Sequence, residues 1–225
     1  MKKLLLASAL AALLVPLAAQ AESTVTNSLT AAAPAPASAR LDFRITIPKV
    51  LFLQVGTGAA APLAALGTIN KIEFDVPAGN VGNGTAVAPT TGGDLLGGTG
   101  VTVRVYSNTG SRVDLTSTTT GPMTAGGAAS VPWSDIAVTT ASLATPTAGY
   151  SNIAIPHPAF TTGASGGTSA AVALTGAGGG SPAGLVRREG SWVFAYANTA
   201  ALPAGVYGDT AANNGRVTYT ATAVP

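Results

Sequence analysis

Side chains able to perform acid–base or nucleophilic chemistry are scarce in this sequence. The single histidine, His157, lies between Pro156 and Pro158, and cysteine is absent. A serine nucleophile would need His157 as its base, and no serine lies in a nucleophile-elbow sequence. One histidine cannot form a two-histidine metal site, and zinc–thiolate sites require cysteine. The sequence therefore predicts no catalytic or zinc centre built on these residue types.

Glu73 and Asp75 are the carboxylates whose spacing fits a reactive pair. They lie two residues apart in a predicted strand, so their side chains share one face. Such a pair could act on a glycosidic bond, or bind Ca²⁺ with the help of a third oxygen ligand. Lys71 shares the same face, and the alternation with Ile72 and Phe74 is typical of a half-buried strand. We therefore interpret the three charged residues as the solvated side of that strand.

Two glycine- or asparagine-rich segments have the composition of ligand loops but not their spacing. Asp209, Asn213 and Asn214 lack the alternating ligand positions of a calcium loop, and turn chemistry explains the Asn-Gly pair. Residues 176–184 lack the Lys-Ser/Thr pair of a phosphate-binding loop. The sequence thus predicts a protein that is not an enzyme and that uses no cofactor and no metal.

Residues 1–21 have the composition of a secretory signal peptide. Lys2 and Lys3 precede an apolar stretch, and a small-x-small cleavage site ends at Ala21. We expect a mature chain that begins at Glu22 and is secreted through the inner membrane to the periplasm, the cell surface or a fimbrium. No later apolar run has the length of a membrane-spanning helix, so no membrane span is predicted.

The charge of the mature chain excludes partners that bind through electrostatics. Eleven basic residues minus Lys2 and Lys3 leave nine, which equals the nine acidic residues. A neutral chain with 9% charged residues offers no basic surface for nucleic acid or anionic lipid. Low charge also reduces colloidal solubility, which fits a protein that ends in an assembly.

The most regular pattern is in residues 41–56. Leu41, Phe43, Ile45 and Ile47 alternate with polar residues, which predicts a strand with one buried face. Pro48 interrupts the pattern because it has no N–H for a ladder. The apolar run of residues 50–55 then predicts a second strand segment covered on both faces.

Further predicted strands recur at short intervals along the chain, and no long helical pattern separates them. They include residues 69–76, 101–106, 113–115, 136–140, 150–155, 170–175 and 192–197. We predict a hairpin across residues 108–110 and a closing hairpin around Asn214-Gly215. The fold class predicted is all-β, an immunoglobulin-like or related antiparallel β-sandwich with long Gly/Ala-rich loops, formed by residues 39–225 as one domain.

Residues 22–38 form a polar arm followed by an Ala-Pro linker. If the arm is extended, one side carries the residues that we predict as donor-strand contacts: Val25, Asn27, Leu29 and Ala31. Pro34 and Pro36 favour an extended linker. The alternative interpretation is an unstructured N-terminus.

Residues 202–210, with the sequence LPAGVYGDT, resemble the "PAGTYSDT" element near the C-terminus of archaic chaperone–usher pilins and spore-coat-U-like fimbrial subunits. The resemblance implies an incomplete immunoglobulin-like fold that the N-terminal arm of the next subunit completes. It also implies self-association into fibres and a periplasmic chaperone as partners. In such a fold we expect the core that lines the groove to include Phe43, Ile45, Ile47 and Tyr219. If the final hairpin is self-contained, the fold is complete without a donor.

The function predicted is that of an exported, non-enzymatic structural or adhesive surface protein, with a fimbrial subunit as its specific form. The alternative is a monomeric secreted or periplasmic binding module for carbohydrate or a surface partner, using residues 78–100 and Trp133. An exported hydrolase is a third class, which the missing nucleophile and base disfavour.

Overall fold

The structure is a computed structural model that describes residues 22–95, 100–110, 112–176 and 184–224. The predicted leader, residues 1–21, lies outside the described residues. The chain divides into two units at Pro48, and the strands and the buried core of the described chain lie in the second unit. That unit is an antiparallel β-sandwich, which confirms the predicted fold class.

Strands of the described residues are joined by turns and by loops, several of them long, with brief 3₁₀ turns among them. In chain order they are β1 (Leu51–Val55), β2 (Ile72–Glu73), β3 (Thr91–Gly92), β4 (Gly100–Ser107), β5 (Arg112–Thr119), β6 (Met123–Thr124), β7 (Ser130–Val131), β8 (Ile136–Ala141), β9 (Ser151–Asn152), β10 (Gly167–Thr168), β11 (Val172–Thr175), β12 (Val186–Tyr196) and β13 (Thr218–Val224). The 3₁₀ turns are Ala78–Asn80, Trp133–Asp135 and Ala211–Asn213. In the part of the chain described, no helix has the length and apolar character needed to span a membrane.

The first sheet has the strand order β1-β4-β12-β8, with antiparallel pairing throughout that path. The predicted strand at residues 192–197 belongs to β12, which is central because β4 and β8 pair with its two sides. Strand β9 adds a short parallel pair to β12. Strands β1 and β8 therefore form the two ends of this sheet.

The second sheet is built around β5. Strand β13 pairs with β5 along its length, whereas β10 and β11 pair with successive parts of β5. Strand β1 of the first sheet contacts β13 of the second, which closes the sandwich along that side. Two short pairs, β2 with β3 and β6 with β7, lie outside the main sheets.

The core lies between the sheets and is built from alternate residues of the central strands. Val103 and Val105 of β4 face Val113 and Leu115 of β5, and all four are fully buried. Trp192 of β12 is also fully buried. The period-2 patterns therefore identified the buried faces of these strands correctly, because alternation reports side-chain direction in any extended segment.

The hairpin predicted across residues 108–110 is wrong. Strand β4 pairs with β1 and β12, whereas β5 belongs to the other sheet. The chain crosses from one sheet to the other at this turn, as connections in a sandwich do. Both strands keep the predicted apolar faces, which point towards each other across the core.

The closing hairpin around Asn214-Gly215 is also wrong. Asn214 adopts a left-handed conformation with φ 59° at the end of the turn Ala211–Asn213, but residues 202–209 form no strand. Val206 is 72% exposed. Strand β13 instead pairs with β5, so a partner distant in sequence replaces the local one.

The prediction of a strand over residues 41–47 is wrong. The second segment, predicted over residues 50–55, corresponds in position to β1. The described residues 39–50 carry no ladder, and Phe43 and Ile45 are exposed rather than buried. Arg44 is exposed as well. Strand β1 is an end strand of its sheet and is only partly covered, because Leu51 is 42% exposed whereas Gln54 is 6% exposed.

Candidate functional site

Strand β8 ends the first sheet with an edge open to a further strand. Within the described residues its ladder partner is β12 alone. Ile136 and Val138 point inward and pack against the core, while Ala137 and Thr139 are exposed. An edge strand of this kind presents a row of unpaired N–H and C=O groups to an incoming strand.

A groove of about 450 Å³ lies along the inner side of β8. Its lining residues come from β8, the preceding 3₁₀ turn and residues 156–160. They are Trp133, Ser134, Ile136, Val138, Thr140, Pro156, His157, Ala159 and Phe160. Six of these nine residues are apolar or aromatic, and Ser134, Thr140 and His157 add polar groups, so the groove is suited to apolar side chains with a few polar contacts.

The wall opposite β8 is an extended segment that is not a strand. Trp192 Nε1 donates to Ile155 O at 2.8 Å, and Ser117 Oγ donates to Ala159 O at 3.0 Å. Thr119 Oγ1 donates to Thr161 O at 3.1 Å. Side chains of the two sheets thus satisfy carbonyls of the segment that a ladder would otherwise pair. The segment is fixed in place without becoming the next strand of the first sheet.

Trp133 closes one end of the groove. The turn Trp133–Asp135 buries the indole, which is 6% exposed, and Nε1 donates to Gly121 O at 2.7 Å. The ring packs on Phe160 with 5.0 Å between centroids. Because its N–H is paired and its faces are covered, Trp133 serves mainly as packing.

His157 lines the groove and is surrounded by aromatic rings. The rings of Phe160 and Trp192 lie edge-on to the imidazole, with centroids 4.6 and 4.7 Å away. His157 Nε2 lies 2.8 Å from the hydroxyl of Tyr219. Burial lowers the pKa of His157 to about 4 and raises the pKa of Tyr219. The imidazole is therefore neutral at pH 7 and bonded to a neutral phenol, an arrangement that supports packing.

Acid should destabilise the fold through His157. The unfolded chain binds a proton near the ordinary pKa of 6.5 and the folded chain only near 4. Between these values the unfolded state holds more protons, so stability falls as pH decreases through this window. We expect the loss to be about 2 kcal/mol, allowing for partial solvent screening.

Urea unfolding of the wild type and of His157→Gln at pH 7 and pH 4 measures this effect. Carboxylates titrate in both proteins. The difference between the pH dependences of their unfolding free energies therefore reports the contribution of the His157 imidazole. Equal pH dependences in the two proteins would contradict the prediction.

The structure places the predicted site residues in two different environments. Val25, Asn27, Leu29 and Ala31 are exposed and form no strand, so their role as donor contacts stays a prediction. Tyr219 packs against the core and reaches the groove through His157. The three residues predicted to line the groove from residues 43–47 are instead exposed, as described above.

The lining residues of the groove were not predicted as site residues. The short strand predicted at residues 136–140 corresponds to β8, but the position of β8 at the end of a sheet depends on strand order, which is not a local property. The signal that could have identified the opposite wall is Pro156 and Pro158, because prolines interrupt a strand and favour edges.

Residues 78–87 of the predicted binding loop are fixed to the end of β12. Val87 N donates to Tyr196 O at 2.7 Å, and Tyr196 N donates to Val87 O at 2.9 Å. Asn198, which is 1% exposed, donates to Asn80 O at 2.6 Å and accepts from Gly82 N at 3.0 Å. This part of the loop is therefore held by hydrogen bonds to the end of β12 and to the buried Asn198.

The charged face of residues 71–75 is a surface ion-pair cluster. Lys71 Nζ lies 2.7 Å from Glu73 Oε1 and 3.0 Å from Asp209 Oδ1. Hydrogen bonds to these carboxylates raise the pKa of Lys71, and the ammonium lowers the pKa of Glu73. Asp75 accepts from Thr90 Oγ1 at 2.7 Å. Among the residues described, no group of three His, Asp or Glu is arranged to hold a metal ion.

Comparison with known proteins identifies no matching family model, no similar curated protein and no similar solved structure.

Proposed function

We propose that this protein is an exported, non-enzymatic structural or adhesive surface protein that assembles by β-strand complementation. In this proposal the groove beside β8 accepts a strand from the N-terminal unit of a second copy. The observation that carries it is the open edge of β8 next to an apolar groove. A strand added there would pair its backbone with β8 and place alternate side chains in the groove.

The sequence supports the cellular setting of this proposal. A leader at residues 1–21 directs the chain through the inner membrane, and the low charge of the mature chain fits a protein of the cell surface or a fimbrium. The pilin-like residues 202–210 extend the proposal to a fimbrial subunit. A periplasmic chaperone would then cover the groove before assembly, because an uncovered edge invites aggregation.

A monomeric binding module is the alternative use of the same groove. Aromatic rings can stack on sugar faces, and Trp133 and Phe160 line the groove. The 6% exposure of Trp133 leaves little ring face for such stacking, which favours strand complementation.

Deleting residues 22–48 from the mature chain tests the proposed function. The sandwich and its core begin after this unit, so the deletion variant should keep the thermal unfolding of the wild type. We expect the wild type to form oligomers or fibres, measured by size-exclusion chromatography with light scattering and by electron microscopy. The deletion variant should remain monomeric, because it cannot donate a strand.

Two outcomes would contradict strand complementation. Fibres that persist after the deletion would show that the N-terminal unit is not the donor. A wild type that stays monomeric at high concentration would favour the binding module.

A further inference from the structure

We infer that the strand inserted into the groove is formed by residues 41–47 of a second copy, and not by residues 25–31. This inference rests on the proposed function and specifies its donor. The side chains that enter the groove are Leu41, Phe43, Ile45 and Ile47. Three of them, Phe43, Ile45 and Ile47, are residues that the sequence predicted as part of the receiving core.

The donor residues are apolar and largely exposed. Leu41 is 69% exposed, Phe43 84%, Ile45 85% and Ile47 76%. Single exposed apolar residues are common on protein surfaces, but a contiguous set of large ones marks an interaction site. These four alternate with Asp42, Arg44 and Thr46, so an extended backbone places them all on one side.

The donor segment matches β8 in period and in length. Ile136, Val138 and Thr140 of β8 face the groove at every second position, which is the spacing of the exposed apolar residues. At about 3.3 Å per residue, residues 41–47 span about 23 Å and β8 about 20 Å. Pro48 follows directly and cannot donate to a ladder, so it ends the pairing.

Residues 25–31 fit the groove less well. Of their alternate residues only Val25 and Leu29 are large and apolar, and the backbone bends at residues 29–32. Ser28 Oγ accepts from Thr30 N at 3.3 Å, so polar groups of this stretch bond locally. Arg40 donates to Glu22 through Nε and Nη2, each at 2.8 Å, which closes residues 22–40 into a loop. The apolar segment begins at the next residue.

Covalent reach identifies the partner as a second copy. Residues 48–50 alone separate Ile47 from Leu51 at the start of β1, and this link spans at most about 14 Å. The position beyond β8 lies four inter-strand spacings from β1, about 19 Å. Ile47 therefore cannot lie beside β8 of its own chain while β1 keeps its place.

Charge substitutions in the full mature chain test which segment is the donor. Phe43→Asp with Ile45→Asp should weaken self-association by about a hundredfold or more, because two buried anchors become charges. Val25→Asp with Leu29→Asp is the matched control, since these residues are 90% and 102% exposed and receive the same charges. The control should assemble like the wild type, measured by light scattering.

The outcomes separate this inference from the proposed function. If the control pair abolishes assembly and the Phe43/Ile45 pair does not, the donor assignment is wrong and strand complementation stands. If neither pair affects assembly but deletion of residues 22–48 abolishes it, the donor assignment is again wrong. A wild type that never assembles overturns both.

Cysteine pairing tests the receiving edge, since the chain has no native cysteine. Mixing an Arg44→Cys protein with a Thr139→Cys protein should yield a disulfide-linked heterodimer. Asp42→Cys and Thr46→Cys, each mixed with Thr139→Cys, test pairing registers shifted by two residues. Thr220→Cys on β13 is the control edge and should give none. Equal heterodimer yields at the two edges would overturn the assignment, as would a within-chain bond in the Arg44→Cys/Thr139→Cys double variant.

Discussion

Replacing Glu189 by alanine should lower the free energy of unfolding by about 3–5 kcal/mol. The side chain of Glu189 is fully buried, and that of Arg104 is 12% exposed. The carboxylate accepts from Arg104 Nε at 3.1 Å and from Thr147 N at 2.5 Å. The alanine variant would leave a guanidinium without its counter-charge in a poorly solvated position, and an N–H without its acceptor. Urea denaturation at pH 7 measures the loss.

The double variant Arg104→Met/Glu189→Leu is the control for this effect. It removes both charges together, so no unpaired ion remains, and apolar replacements of buried ion pairs are often close to neutral. We expect it to be more stable than Glu189→Ala. A double variant as unstable as the single one would contradict the explanation by an uncompensated charge.

This ion pair lies on the outer face of the first sheet, away from the sandwich core. Gln54, Arg104 and Glu189 stand side by side on β1, β4 and β12. Arg104 Nη1 donates to Gln54 Oε1 at 3.2 Å, and Nη2 donates to Thr147 Oγ1 at 3.2 Å. The segment containing Thr147 covers the row. A loop distant in sequence therefore buries Glu189, although the residue follows Arg187 and Arg188 in a charged run.

Local periodicity correctly predicted which residues of the central strands face the core. It did not predict which strands pair with each other. Val103, Leu115 and Trp192 are buried as their alternation indicated. The partner of a strand is decided by contacts distant in sequence, so the hairpin joining β4 to β5 was plausible locally and wrong. The same limit explains why β13 pairs with β5 rather than with residues 206–210.

Alternation also does not specify which chain covers an apolar face. The pattern of residues 41–47 is as regular as that of β4, yet its apolar residues are exposed. If a second copy covers them, the sequence pattern identified a buried strand of the assembly. The groove itself could not be predicted, because it depends on β8 being the last strand of its sheet.

Trp192→Ala is the second substitution with a large expected effect, a loss of about 3–5 kcal/mol in the free energy of unfolding. The indole is fully buried at the centre of β12 and packs on His157 and Tyr219, with centroids 4.7 and 4.9 Å away. Alanine would leave a cavity between the sheets. It would also remove the donor to Ile155 O, which holds the start of the groove wall. Thermal and urea unfolding measure the loss.

Trp192→Phe separates the two contributions of the indole. Phenylalanine keeps most of the apolar volume but leaves Ile155 O without its buried donor, which costs about 1–3 kcal/mol. We expect this variant to stay folded because most of the apolar volume is kept. The groove wall should loosen, because Ile155 directly precedes Pro156 and His157 of that wall. Self-association of the mature chain should then weaken more than global stability predicts. A Trp192→Phe protein that is less stable yet assembles like the wild type would contradict a role for this wall in receiving the strand.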